Sequence, residues 1–174
     1  AGQKILLAGP AANEFTCLHS SWSFNWQGDA AEYYPKSTET IYDAMKQRFG
    51  ADNVSCASTN KFEDPKNTDA AKLTKMAADA DVIVLCLGEK AYAESPGVIN
   101  DLTLDQEQLE LAEAAIATGK TVIYVLVQGR PRVINSIEAG AKGILQAYRP
   151  SSRVADAIVS VLSGDFNPSG KLPF

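Results

Sequence analysis

With a single histidine, His19, and three widely spaced cysteines, Cys17, Cys56 and Cys86, this 174-residue sequence lacks the side chains of a zinc site or a disulfide framework. His19 then reads as a polar loop residue, Cys17 falls on a loop, and Cys56 and Cys86 read as small core residues inside apolar runs. Long hydrophobic runs are missing too. The longest, Val82 to Leu87, is far short of a bilayer span, and no basic start leading into an apolar stretch marks an uncleaved leader. Basic residues are outnumbered, 16 Lys and Arg against 21 Asp and Glu, and they are scattered, so no face is built to track the phosphates of a nucleic acid. Nucleic acid and membrane are therefore excluded as partners. The turn after the first apolar run, Gly9-Pro10-Ala11-Ala12-Asn13, has no glycine-rich pattern, and Pro10 removes a backbone donor, which disfavours nucleotide binding. A Gly-x-Ser-x-Gly elbow is absent, and one histidine gives a serine triad little support. No metal and no cofactor is expected.

What is present fits one compact domain over residues 1–174, with 45% hydrophobic and 21% charged residues. Short apolar runs alternate with amphipathic segments, the pattern of strand-helix-strand units. Strands are expected at Lys4 to Ala8, Asn53 to Ala57, Asp81 to Leu87, Thr121 to Val127 and Gly143 to Tyr148. The third and fourth are apolar on both faces, as central strands covered on each side are. Ile41, Ala44, Met45 and Phe49 mark a helix that starts after Thr38 and stops at Gly50, and Leu73, Met76, Ala77 and Ala80 mark a second. A third is expected to begin at Thr103, capped reciprocally with Gln106, and to bury Leu109, Ala112 and Ile116 before Gly119. Val154, Ala157, Ile158 and Val161 mark the last, closed by Gly164. The predicted fold is a three-layer α/β/α sandwich with a mainly parallel, flavodoxin-like sheet. Glu107, Glu110 and Glu113 read as a solvated helix face, and the Asn60 to Asn67 segment as a surface connection.

Two long loops, Pro10 to Ser37 and Glu89 to Leu102, interrupt this order, and long loops in compact domains usually carry function. Ligands of open α/β sheets bind beyond the carboxyl ends of the strands, so Glu94 lies where chemistry is usually done. A carboxyl set among Tyr92, Pro96 and apolar loop atoms would lose water, which suits a general acid, although an isolated loop Glu is most often simply solvated. Glu89, directly after the strand, is its local rival, better suited to hold the loop backbone in shape. The first loop holds both tryptophans, Trp22 and Trp26, in Ser20-Ser21-Trp22-Ser23-Phe24-Asn25-Trp26-Gln27-Gly28. An indole face matches the C–H face of a sugar ring; equally, one or both rings anchor the loop to the core.

Several motifs occur in an order that resembles one family. They are Lys4-Ile5-Leu6-Leu7-Ala8-Gly9-Pro10-Ala11-Ala12, Trp22-Ser23-Phe24-Asn25-Trp26-Gln27-Gly28 and Gly88-Glu89-Lys90-Ala91-Tyr92-Ala93-Glu94. Then come Asp101-Leu102-Thr103-Leu104, Val125-Leu126-Val127-Gln128-Gly129-Arg130-Pro131 and Gly164-Asp165-Phe166-Asn167-Pro168-Ser169-Gly170-Lys171-Leu172-Pro173-Phe174. Together they resemble the C-terminal α/β domain of glycoside hydrolase family 3, the β-glucosidase and exo-β-glucanase family. Two departures are Ser20-Ser21 in place of the family's Gly-Gly, and Pro150-Ser151-Ser152-Arg153-Val154 in place of Pro-Gly-x-x-Gly-Gly. The resemblance implies a retaining glycosidase whose site is shared between two domains. A (β/α)₈ barrel, not found in this chain, supplies the aspartate nucleophile, and this domain supplies the acid/base Glu. Glu94 matches that Glu, Trp26 matches the aromatic that stacks on the leaving-group sugar, and Trp22 matches a first, structural Trp. A β-linked glucoside or oligosaccharide is the implied ligand, the barrel the implied partner, and a secreted or periplasmic location is implied as well. The competing reading is a noncatalytic carbohydrate-binding or interaction module of the same fold.

Overall fold

The computed structural model describes residues 2–58, 62, 70–149, 151 and 153–174. Among them the elements follow in the order β1 (Ile5–Ala8), α1 (Ile41–Phe49), β2 (Val54–Cys56), α2 (Ala70–Met76), β3 (Val82–Gly88), α3 (Gln106–Ala117), β4 (Thr121–Val127), β5 (Gly143–Gln146) and α4 (Val154–Leu162). The five strands form one sheet in the order β2-β1-β3-β4-β5, and every pair is parallel. Register sets Ile5 beside both Val54 and Val82, and Val82 beside Thr121. Side chains alternate across a strand, so each strand feeds two cores. Leu7, Val84, Cys86, Val125 and Val127 pack with Ile41, Met45, Ile158 and Val159 of α1 and α4. Leu6, Ile83, Leu85, Leu87, Tyr124 and Leu126 pack with Leu73 of α2 and Leu111, Ala112 and Ala115 of α3. The result is the expected three-layer α/β/α sandwich, with a sheet that is wholly parallel.

Element ends differ from the sequence reading where tertiary contacts outweigh local signals. The first helix starts later than Thr38, because Thr40 supplies the cap. Thr40 Oγ1 accepts from Asp43 N–H at 3.1 Å while Asp43 Oδ2 accepts from Thr40 N–H at 3.3 Å. The expected capping box at Thr103 does not form. Thr103 instead bridges to Val133, Leu102 O accepts from Val133 N–H at 2.8 Å, and α3 begins at Gln106 after Asp105. Its buried face is Gln108, Leu111, Ala112 and Ala115, with Leu109 and Ile116 only half-buried. Glu110 and Glu113 are exposed and Glu107 is half-buried. In α4 the buried set is Val154, Ala155, Ile158 and Val159, while Ala157 is exposed. Beyond Met76 the chain tightens into a 3-10 turn, Ala77–Asp79. The fifth strand stops at Gln146, two residues short of Tyr148, whose φ is +56°. Of the expected surface connection Asn60 to Asn67, all but Phe62 lies outside the described residues.

Strand order decides where a site can form. β1 and β3 lie side by side, yet the chain leaves β1 toward α1 on one face and leaves β3 toward α3 on the other. That divergence is the switch point at which doubly wound sheets open a crevice beyond their strand ends. Gly9 and Gly88 stand at the two exits with φ of +94° and +146°. A Cβ on Gly9 would overlap the Cys86 carbonyl oxygen, and one on Gly88 the Val127 carbonyl oxygen. Only glycine allows the backbones to approach so closely. Both long loops spring from this point.

Candidate active site at the switch point

The loop after β1 has its own small core. Tyr34 packs against Phe15, His19 and Phe24, with ring centroids 5.3, 4.9 and 4.5 Å away, and its hydroxyl donates to Gly28 O at 2.6 Å. Burial in this cluster pushes the Tyr34 phenol up to about 12 and holds His19 below the usual imidazole range. His19 is therefore not the polar loop residue expected: it is 3% exposed and packed edge-on against rings. Cys17 is buried in the same loop, and burial pushes its thiol up. Because Tyr34 and its neighbours anchor the loop, the tryptophans are left outside. Trp22 is 70% exposed and Trp26 46%, their centroids 6.4 Å apart, and Trp22 N–H donates to Trp26 O at 3.0 Å. The Trp22 ring, matched to a structural Trp by the family resemblance, is thus largely exposed on this domain.

The loop after β3 is held at its root by Glu89. This carboxylate is only 6% exposed and accepts from Gly129 N–H at 3.0 Å, Arg130 N–H at 3.3 Å, Arg130 Nε at 3.0 Å and Arg132 Nη1 at 3.1 Å, with Arg149 Nη2 3.6 Å away. Burial pushes the carboxyl up, but the backbone and side-chain hydrogen bonds of Arg130 and the charges of Arg149 and Arg130 outweigh it and hold Glu89 below the usual carboxylate range. The guanidiniums then grip the loop itself. Arg149 donates to the carbonyls of Glu89 and Lys90, and Arg130 to that of Gly97. The ring of Tyr92 sits between Arg130 and Arg149, 4.1 and 4.7 Å from the two guanidinium carbons. Gly97 passes so close to this ring that a Cβ there would overlap it.

Two glutamines complete the frame. Gln108, buried on α3, pairs with the last residue of β3: Gly88 N–H donates to its Oε1 and its Nε2 donates to Gly88 O, both at 2.9 Å. Gln27 does the same between the two loops. Ala93 N–H donates to Gln27 Oε1 at 2.8 Å and Gln27 Nε2 donates to Ala93 O at 3.2 Å. Since Gln27 follows Trp26 and Ala93 precedes Glu94, the two candidate residues are joined through their chain neighbours. Glu94 is exposed rather than enclosed by Tyr92 and Pro96, and its backbone, at φ +53° and ψ −137°, is a conformation that residues with a side chain rarely adopt. Such backbone outliers gather at functional sites, where the surroundings hold them in place. Among the described residues no group of three His, Cys, Asp or Glu is placed to hold a metal ion.

The sequence reading brought Trp22, Trp26 and Glu94 forward, and the loops that carry them are joined by the Gln27–Ala93 hydrogen bonds. It missed Gln27, Gln108, Tyr34 and the three arginines. Gln27 and Arg130 stood within quoted motifs, and a carboxylate directly after a buried strand implies cationic partners. Gln108 carried no signal, since its position reads as any polar helix residue.

The sequence model of the glycosyl hydrolase family 3 C-terminal domain matches residues 1–174. A lysosomal β-glucosidase of Dictyostelium discoideum is 32% identical over 98% of this chain and 21% of its own length. A periplasmic β-glucosidase of Salmonella typhimurium is 36% identical over 63% of this chain and 15% of its own length. Among solved structures, a β-glucosidase of Listeria innocua, determined in complex with isofagomine and with glucose, superposes with a TM-score of 0.81 at 26% identity, covering 98% of this chain and 22% of that one. The chain spans about a fifth of the length of the relatives it matches.

Proposed function

Because the chain belongs to the glycosyl hydrolase family 3 C-terminal domain family, we propose that it forms one wall of the active site of a retaining β-glucosidase. A (β/α)₈ barrel forms the other wall and supplies the nucleophile. Glu94 is the acid/base: its carboxyl O–H protonates the glycosidic oxygen as the anomeric carbon passes to the nucleophile, and the resulting carboxylate then takes a proton from the water that releases the sugar. Retaining chemistry needs the two carboxyls about 5–5.5 Å apart, so docking of the barrel must bring its carboxylate to Glu94. Trp26 offers its exposed face to the leaving-group sugar, and Trp22 extends that aromatic surface. The observation that supports this reading most strongly is the pairing of Gln27 with Ala93, which joins an aromatic platform to a carboxylate at the switch point of the sheet.

Glu94→Gln in an enzyme that joins this domain to its barrel is the test. The amide keeps size and hydrogen bonding but delivers no proton, so hydrolysis of substrates with poor leaving groups should fall by about 10²–10⁴-fold. Activated aryl glucosides should lose less in the glycosylation step, and added azide should restore turnover by replacing the water that needs a base. Glu89→Gln should show no such dependence on leaving group. The assignment fails if leaving-group dependence and azide rescue follow Glu89, or neither residue.

A further inference from the structure

Every proton donor has to be aimed, and the grip on Glu94 comes from two directions. The arginine cluster fixes the loop root and its far side, at Glu89, Lys90, Tyr92 and Gly97. Gln27 takes hold at Ala93, next to Glu94, and it reaches there from the other loop. Its own base is fixed: Gly28 packs so tightly on Ser20 that a Cβ would overlap the Ser20 carbonyl oxygen, and Gly28 O accepts from the Tyr34 hydroxyl at 2.6 Å. Ala93 is buried, so its N–H and C=O need partners, and one carboxamide of this length satisfies both at once.

We infer that Gln27 is a positioning residue that couples the Trp26 platform to Glu94, so that a leaving-group sugar seated on the indole and the carboxyl that protonates it share one frame. The inference rests on the reading of Glu94 as the acid/base. The glycosidic oxygen belongs to the leaving group that Trp26 holds, whereas the proton comes from the loop that Gln27 holds. Hydrogen-bond reach of about 3 Å between them is required. A misplacement of about 1 Å costs on the order of 10²-fold in rate. Cutting the link leaves both functional side chains in place and removes their alignment.

Gln27→Met tests this in the enzyme that joins the domain to its barrel, because methionine keeps the length and loses both hydrogen bonds. Gln27→Glu is the second variant, in case the first does not fold: it retains the acceptor for Ala93 N–H but sets a carboxylate against Ala93 O. Either variant should lower kcat/KM on cellobiose by about 10–10²-fold while changing kcat/KM on 2,4-dinitrophenyl β-glucoside, whose glycosylation step needs no proton, less than about 3-fold. When the same change is added to Glu94→Gln, cellobiose hydrolysis should fall by less than about 2-fold further, since the residue to be aimed no longer delivers a proton. A purely structural role would instead lower both substrates alike and multiply with Glu94→Gln, and that result, or no loss at all, overturns the inference. If Glu94→Gln itself shows the selective loss and the Gln27 variants do not, only the coupling fails. If Glu94→Gln shows none, the acid/base reading fails and the inference falls with it.

Discussion

At the scale of single residues, the loop that carries Glu94 is rooted on the buried carboxylate of Glu89. Glu89 is buried among Arg130, Arg132 and Arg149, and removing its charge leaves three guanidiniums crowded around a neutral group. Glu89→Gln should therefore destabilise the fold by about 3 kcal/mol, read from urea unfolding. Because the folded carboxyl is held below its unfolded value of 4.5, its stabilisation is complete above that pH and is lost as the pH falls through the depressed folded value. The variant's stability should consequently change less between neutral pH and acid than the parent's; an equal slope would show that Glu89 is not the group that titrates. Legibility in the sequence followed the same chemistry. Glu94 stood out because its loop leaves the carboxyl end of a wholly apolar strand, and the tryptophans because both fall within one short stretch of a long loop. The arginines that hold the Glu94 loop did not, since they lie 41 or more positions from Glu89 in sequence and meet it only when β3, β4 and β5 are laid side by side.

At the scale of elements, the exits of β1 and β3 govern everything beyond them. Gly88 ends the β3 ladder opposite Val127, exchanges two hydrogen bonds with Gln108, and has no room for a side chain. Gly88→Ala should cost about 2–4 kcal/mol, seen as a lowered Tm of the domain, because the methyl meets backbone oxygen and the positive φ is strained. An unchanged Tm would mean that the two strands need not approach so closely at their ends. Strand positions were legible in the sequence because buried parallel strands are continuous apolar runs, as Val82 to Leu87 and Thr121 to Val127 are. Helix starts were less so. Thr103 has every local feature of a cap, yet pairing of Leu102, Thr103 and Leu104 with the Val133 backbone offered a better set of hydrogen bonds, and such long-range pairing leaves no mark in a local window.

At the scale of the whole molecule, the candidate site residues gather on the rim beyond the carboxyl ends of the strands. Trp22, Trp26, Val98, Ile99, Leu102 and Val133, all exposed, come from the loops that follow β1, β3 and β4. An apolar rim of this kind on a charged domain fits a surface that a second domain covers. On the proposed division, this domain contributes the acid/base and the barrel the nucleophile, so neither half suffices. The most direct measurement is hydrolysis of aryl β-glucosides by the 174-residue chain alone and by the same chain joined to a family 3 barrel. No turnover by the chain alone, and turnover on joining that is sensitive to Glu94, is the predicted result; robust turnover by the chain alone would place both carboxylates within it and contradict the account.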